Sequence, residues 1–170
     1  MDVNSHFHEN PGAFIFGILR IMIGLMLLWA FFDKLFGLGY PTPSGMGYID
    51  GGSPTEGFLN HASTGTFGWL FEPMKGIHSV LDVVILVAML GLGSGLILGI
   101  GRRICCVCGM LMFFVFYLAV SPISDNPILD YHLIYIVILF GVWVTDSCKV
   151  LGFGKMWSEI GFVKRFPILE

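Results

Sequence analysis

Hydrophobic positions in this chain fall into long runs, separated by stretches where charge, glycine and proline collect. The first run spans Ala13–Phe32, is broken only by Arg20, and closes at Asp33-Lys34. The second spans Ile77–Ile100, with His78 and Asp82 near its start. The third, Ile104–Val120, has no charge. The fourth begins near Leu129, stays apolar to Thr145 and runs through Asp146 to about 148. A helix of about 20 apolar residues crosses a bilayer, and a chain in lipid must satisfy its own backbone hydrogen bonds. The runs therefore predict spanning helices over about 13–32, 77–100, 104–120 and 129–148. The expected fold is all-α: a polytopic membrane protein, a four-transmembrane-helix bundle forming one domain over 1–170, with a long outward loop at 33–76. The first run lacks a basic flank and a small-residue cleavage site, so it reads as a retained helix and not a signal peptide. The segment before it, Met1–Gly12, is polar and holds no Lys or Arg.

Composition narrows the class. The chain is 55% hydrophobic and 12% charged, with mean hydropathy +0.82, against about 45–50% and 25% for soluble domains. A soluble globular enzyme, a nucleic-acid binder and a disordered chain are excluded. The net charge of −3 implies no polyanionic partner. Basic residues set the orientation. Arg102 and Arg103 lie between the second and third runs, and Lys149, Lys155, Lys164 and Arg165 follow the fourth. Only Lys34 and Lys75 fall on the other side. Both termini are expected to be cytoplasmic, in the cell membrane, with 33–76 and 121–130 facing outward. The first outward loop is rich in Gly, Pro and aromatics, as in Gly37-Leu-Gly-Tyr-Pro-Thr-Pro-Ser-Gly45. Phe58, Leu59, Phe67, Trp69, Leu70 and Phe71 predict short interfacial helices there, capping the bundle; a mobile surface loop is the plainer alternative.

Ionisable groups within a span are costly, so they are expected to face the bundle interior, paired or functional. On the fourth helix His132, Tyr135, Leu139, Val142 and Asp146 fall on one stripe, and on the first Gly17, Arg20, Gly24, Leu27, Phe31 and Lys34 do the same. Arg20 and Asp146 lie at comparable depth, which predicts a buried ion pair, serving either helix register or function. On the second helix Asp82, Leu86, Met89 and Gly93 share a face, with His78 one turn above. Gly91, Gly95 and Gly99 form a small-residue series on the opposite side, a packing device within the bundle or between protomers of a homo-oligomer.

The outer helix ends then offer His78, Asp82, Asp130, His132 and Tyr135, with Trp29, Asp33 and Lys34 from the first helix. Aromatic and apolar walls with a Tyr or His donor suit a quinone ring, and a His or Asp handles its protons. His132, Tyr135 and Asp82 are the candidate catalytic residues. Trp29, Lys34, Asp130, His132 and Tyr135 are the candidate quinone-binding residues. For His132 a helix-end hydrogen bond to the loop is the simpler alternative. Haem is not expected, since nothing fixes the separation of His78 and His132. No metal is expected either: His6, His8 and His61 lack ligand spacing, though His6 and His8 suit an adventitious ion. Cys105, Cys106, Cys108 and Cys148 fall toward the reducing side, where they read as free thiols that pack as small apolar groups, a redox or metal cluster being the alternative.

Five segments together resemble the DoxX/DoxD-like membrane proteins, particularly the archaeal DoxD type. They are Arg20-Ile-Met-Ile-Gly24-Leu-Met-Leu-Leu-Trp29 leading to Asp33-Lys34; Gly51-Gly-Ser-Pro-Thr-Glu-Gly-Phe-Leu59; Gly91-Leu-Gly-Ser-Gly-Leu-Ile-Leu-Gly-Ile-Gly101-Arg102; Asn126-Pro-Ile-Leu-Asp130-Tyr-His132-Leu-Ile-Tyr135; and Lys164-Arg-Phe-Pro-Ile-Leu169. The likeness runs from about Gly17 to the C-terminus. It implies a four-helix membrane bundle and electron transfer into the quinone pool, as in the larger subunit of a thiosulfate:quinone oxidoreductase. Residues in the matched motifs, Arg20, Trp29, Lys34, Asp130, His132 and Tyr135, carry over with it, and Asp82 with them; Cys105, Cys106 and Cys108 depart from the pattern and carry no family role.

The outward half holds Asp33, Asp50, Glu56, Glu72, Asp82, Asp125 and Asp130 against Lys34 and Lys75, and no cysteine. That charge repels a dianion such as thiosulfate, so a small partner subunit is expected to supply the sulfur end. Two other readings stay open: a non-enzymatic membrane scaffold, chaperone or lipid-binding protein, and a small oligomeric transporter, for which no pair of broken helices appears.

Overall fold

The computed structural model describes residues 10–121 and 128–169. His6, His8, Asp125 and the Asn126-Pro127 start of the fourth-helix motif lie outside the described residues. Within them the chain is all-helical. A long first helix, α1 (Pro11–Phe36), is followed by two short ones, α2 (Glu56–Ala62) and α3 (Gly68–Phe71), and a 3-10 turn at Glu72–Ile77. Then come α4 (His78–Leu98), α5 (Arg102–Val120) and α6 (Tyr131–Val144). Three short helices close the chain: α7 (Ser147–Val150), α8 (Gly154–Glu159) and α9 (Gly161–Arg165).

The ends of the long helices follow from local chemistry. Asn10 caps α1 by accepting from Ala13 N–H at 3.0 Å, and Pro11 occupies the first turn, where no N–H is needed. Gly37, at φ +63°, ends α1 in the left-handed conformation and donates to Asp33 O. Gly99 does the same for α4 at φ +73°, and α5 restarts just beyond Gly101. Asp130 caps α6, accepting from His132 N–H at 3.0 Å and Leu133 N–H at 3.2 Å.

Three segments are long and apolar enough to cross a membrane: Pro11–Phe36, Gly68–Leu98 and Arg102–Val120. The helix expected over about 129–148 is shorter, an apolar stretch from Tyr131 to Val144. It stops where Thr145 turns extended, at ψ 154°, two residues before α7 begins. Outward faces are apolar: Ile15, Ile18, Met22, Leu25 and Trp29 on α1 and Val80, Val83, Val84 and Val87 on α4 are exposed. Arg20, Asp33, Asp82, Asp130 and His132 are buried. This is a soluble protein's distribution inverted, which suits lipid surroundings.

The helices pack as two couples, α1 along α4 and α5 along α6, with α1 also touching α6. Ile23, Leu27, Leu92, Leu96, Met112, Phe113 and Leu139 fill the centre between them. Close approach of α1 and α4 depends on a glycine pair. A Cβ at Gly24 would lie 2.9 Å from Gly93 O, and one at Gly93 3.0 Å from Gly24 O. The expected Gly91/Gly95/Gly99 packing series meets neighbours within the chain over part of its length. Gly91 faces open space, Gly95 makes room for the Cys105 sulfur, and Gly99 is the left-handed cap beside Arg20. A regular small-residue spacing names a helix face; it does not tell which face meets a neighbour.

Segment 37–77 folds over the end of the bundle where α1 stops and α4 starts. Leu59, Ala62, Phe71 and Ala119 form a second apolar cluster there, with Phe58 and Phe67 packed on it. Trp69 remains exposed.

Gly24→Leu is expected to lower stability by about 1–3 kcal/mol, because the new side chain meets backbone on α4. Gly91→Leu is expected to be neutral or slightly stabilising, since Gly costs about 1 kcal/mol in a helix. Thermal unfolding of the purified protein in detergent separates the two.

Candidate functional site

Two buried carboxylates hold segment 37–77 down. Asp33 near the end of α1 accepts from Tyr40 N–H at 2.7 Å through Oδ1 and from Thr42 N–H at 2.9 Å through Oδ2. Asp82 on α4 accepts at Oδ1 from Thr55 N–H at 2.8 Å, with the Thr55 hydroxyl at 2.7 Å, and at Oδ2 from the Ser53 hydroxyl at 2.8 Å. The Ser53 hydroxyl also lies 3.2 Å from His78 Nδ1, and His78 Nδ1 is 3.9 Å from Asp82. Both acids thus trade water for loop N–H and O–H groups, which is how a carboxylate survives burial. Asp82, expected to handle protons, has its oxygens occupied by the loop and acts as a tether.

Beneath the tethered segment lies a cavity of about 450 Å³. Leu81, Val84, Ile85 and Met89 of α4 wall one side, and Val115, Phe116 and Val120 of α5 the other. Thr55, Phe58, Leu59 and Met74 roof it, and Ala30 and Lys34 of α1 and Tyr131 and His132 of α6 complete it. Val84 and Tyr131 are exposed, so the cavity reaches the outer surface of the helices. The size and the apolar lining with few polar groups match small-molecule sites in general.

His132 is the defined polar group. It is buried, and its Nδ1 sits 2.5 Å from Asp130 Oδ2. Asp130 also accepts from the His132 and Leu133 amides, so one carboxylate both caps α6 and orients the imidazole. With Nδ1–H donated to Asp130, Nε2 is the ring nitrogen left for a ligand. Phe113, Phe116 and Tyr131 surround the ring, with centroids 6.3, 5.9 and 4.1 Å away.

Of the expected quinone-binding residues, Lys34 and His132 line the cavity together, and Asp130 stands behind His132. Trp29 does not line it; its side chain points outward, half exposed, against Tyr40. Tyr135 packs one turn deeper in the core, its ring 5.0 Å from Phe113. The stripe rule put Tyr135 beside His132, whereas the neighbouring Tyr131 reaches the cavity rim. Phe58 of the roof belongs to the aromatic run expected to cap the bundle, whereas no local pattern ties Thr55 and Met74 to α4.

The expected Arg20–Asp146 ion pair is not formed. Arg20 is completely buried and donates to the carbonyls of Leu96 and Leu151, and to Ile97 O at 3.3 Å. These are carbonyls freed at the ends of α4 and α7, where helix dipoles favour a cation. Asp146 lies beyond the end of α6, its side chain 58% exposed, 3.4 Å from Arg102 and 3.2 Å from Lys149. The fourth helix ends before it reaches Asp146, so the stripe carries it out of the core. Cys105, Cys106 and Cys148 are buried free thiols near this inner end, and Cys108 is exposed.

Arg20→Met is expected to cost about 3 kcal/mol, since it strands buried carbonyls, while Asp146→Asn is expected to cost under about 0.5 kcal/mol, as surface pairs do. Chemical or thermal unfolding in detergent distinguishes them. Asp82→Ala is expected to release segment 37–77, read as faster limited proteolysis within it while α4 stays protected.

Neither a family model, nor a curated protein, nor a solved structure matches this chain.

Proposed function

We propose that this chain is a multi-pass membrane protein of the DoxX/DoxD type in which α6, continued by α7, provides a fourth crossing of the bundle. Segment 33–76 is then the long outward loop, and both termini lie on the cytoplasmic side of the cell membrane. Supporting this orientation, Arg20 and the Phe153 N–H bond to Leu151 O and Leu98 O respectively, which holds the C-terminal segment at the inner end of α4, beside Arg102. Lys149, Lys155, Lys164 and Arg165 follow there, as the positive-inside rule requires.

The cavity is a quinone site at the outer helix ends, and the protein is a redox subunit that passes electrons to the quinone pool, as in thiosulfate:quinone oxidoreductase. One observation carries this reading: an apolar cavity of about 450 Å³ that holds an imidazole locked by a carboxylate. A quinone supplies a two-electron acceptor with a flat apolar body and polar ends. Phe58, Phe116 and Met89 offer surfaces for the ring, and the tethered roof excludes water. As an imidazolium balanced by Asp130, His132 donates Nε2–H to a ring oxygen and gives up that proton as the ring is reduced, leaving the Nδ1–H tautomer that Asp130 holds. Electrons enter from a reduced sulfur substrate held with the help of a small partner subunit, because the acidic outward half repels a dianion.

A second reading is a membrane scaffold or lipid-binding protein. It is favoured by Asp33 and Asp82, whose oxygens go to the loop and not to the cavity.

Organic extraction of the purified protein, followed by mass spectrometry, is expected to recover a prenylated quinone. His132→Ala is expected to weaken its retention about tenfold, the worth of one hydrogen bond at about 1.4 kcal/mol. Recovery of phospholipid alone, unchanged by His132→Ala, would favour the scaffold.

A further inference from the structure

The cavity contains a cation that the tethering network does not neutralise. Lys34 lines it from the last turns of α1. Among the described residues, no carboxylate lies within ion-pair distance of its ammonium. The adjacent Asp33 is completely buried, with one oxygen accepting from Tyr40 N–H and the other from Thr42 N–H. Asp82 is likewise taken up by Ser53 and Thr55, and Asp130 by His132 and the first turn of α6. Each nearby acid is turned toward backbone or loop, so none of them reaches into the cavity to pair with Lys34.

An ammonium beside apolar walls is poorly solvated, and an anionic oxygen delivered by a ligand improves its situation more than a neutral carbonyl does. A neutral quinone would offer only carbonyl lone pairs. A ring that also carries an ionised hydroxyl would offer a full charge at one edge and keep a carbonyl for His132 at another. Its apolar body would still face Phe58, Phe116 and Met89.

We propose that Lys34 makes the cavity selective for an anionic ring ligand, a hydroxyquinone in its ionised form, whose charged oxygen sits on the Lys34 ammonium while a carbonyl accepts from the Nε2–H of His132, held as an imidazolium against Asp130. Lys34 is a specificity-determining residue of the site. This rests on the quinone reading above and adds the charge state of the ligand to it.

The test compares two ring ligands of nearly equal size on the purified full-length chain in detergent at neutral pH. One is 2-hydroxy-3-methyl-1,4-naphthoquinone, ionised under these conditions. The other is its 2-methoxy analogue, which carries no charge; in both, the substituted ring edge hinders addition to free thiols. Isothermal titration is expected to show the hydroxy compound binding at least about tenfold tighter to the unmodified protein. Lys34→Gln is expected to weaken binding of the hydroxy compound and bring the two within about twofold of each other, and Lys34→Arg to keep the preference. Equal affinities in the unmodified protein, or a preference that survives Lys34→Gln, would overturn the role of Lys34 and leave the quinone reading standing. Failure of both compounds to bind the unmodified protein would overturn both.

Discussion

A polar group surrounded by hydrocarbon must find its partner within the chain, and this requirement organises the whole molecule. Outward faces of α1 and α4 are exposed and apolar, so lipid-like surroundings are met by Ile, Leu, Val, Met and Trp. Arg20, Asp33, Asp82, Asp130 and His132 turn inward, and each is met by backbone or by a neighbouring side chain. Arg20 is held by carbonyls at the ends of α4 and α7. Asp33 and Asp82 are held by N–H and O–H groups of segment 37–77, and Asp130 by the first turn of α6 and by His132. A charge that costs several kcal/mol to desolvate becomes a fastener once its hydrogen bonds are complete.

These fasteners work at opposite ends. At the end where α4 stops, Arg20 draws α1, α4 and α7 together, and further along the glycine pair Gly24/Gly93 brings α1 against α4. At the opposite end the two couples of helices leave a gap that the roof covers, and the roof is held by carboxylates on the couple formed by α1 and α4. The gap becomes a cavity because its cover is tethered. His132 and Lys34 face that cavity from different helices, and its chemistry is theirs: an imidazole held by a carboxylate and an ammonium with no carboxylate at ion-pair distance among the described residues.

Much of this was legible along the chain. The apolar runs located the long helices to within a few residues, because burial in lipid demands a length and a composition that soluble helices do not need. The inward direction of Arg20, Asp82 and His132 followed from the cost of exposing charge to hydrocarbon. Leu86, Met89 and Gly93 were placed on the buried face with Asp82, and they are buried. What failed were inferences of partnership. Arg20 and Asp146 have complementary charge and comparable depth, yet the fourth helix stops at Val144 and leaves Asp146 facing water. Trp29 shares an end of α1 with Lys34, and Tyr135 shares a helical stripe with His132, yet one points outward and the other into the core.

The sequence by itself determined which residues are helical, which of them tolerate an apolar environment, and which charges must be sheltered, since those follow from local pattern and solvation. Only the tertiary structure decided who shelters whom. Thr55 reaching Asp82, Tyr40 reaching Asp33 and Leu151 reaching Arg20 are meetings of positions 7 to 131 residues apart. Such meetings depend on where each helix ends and how the helices cross, and a one-dimensional periodicity carries no information about either.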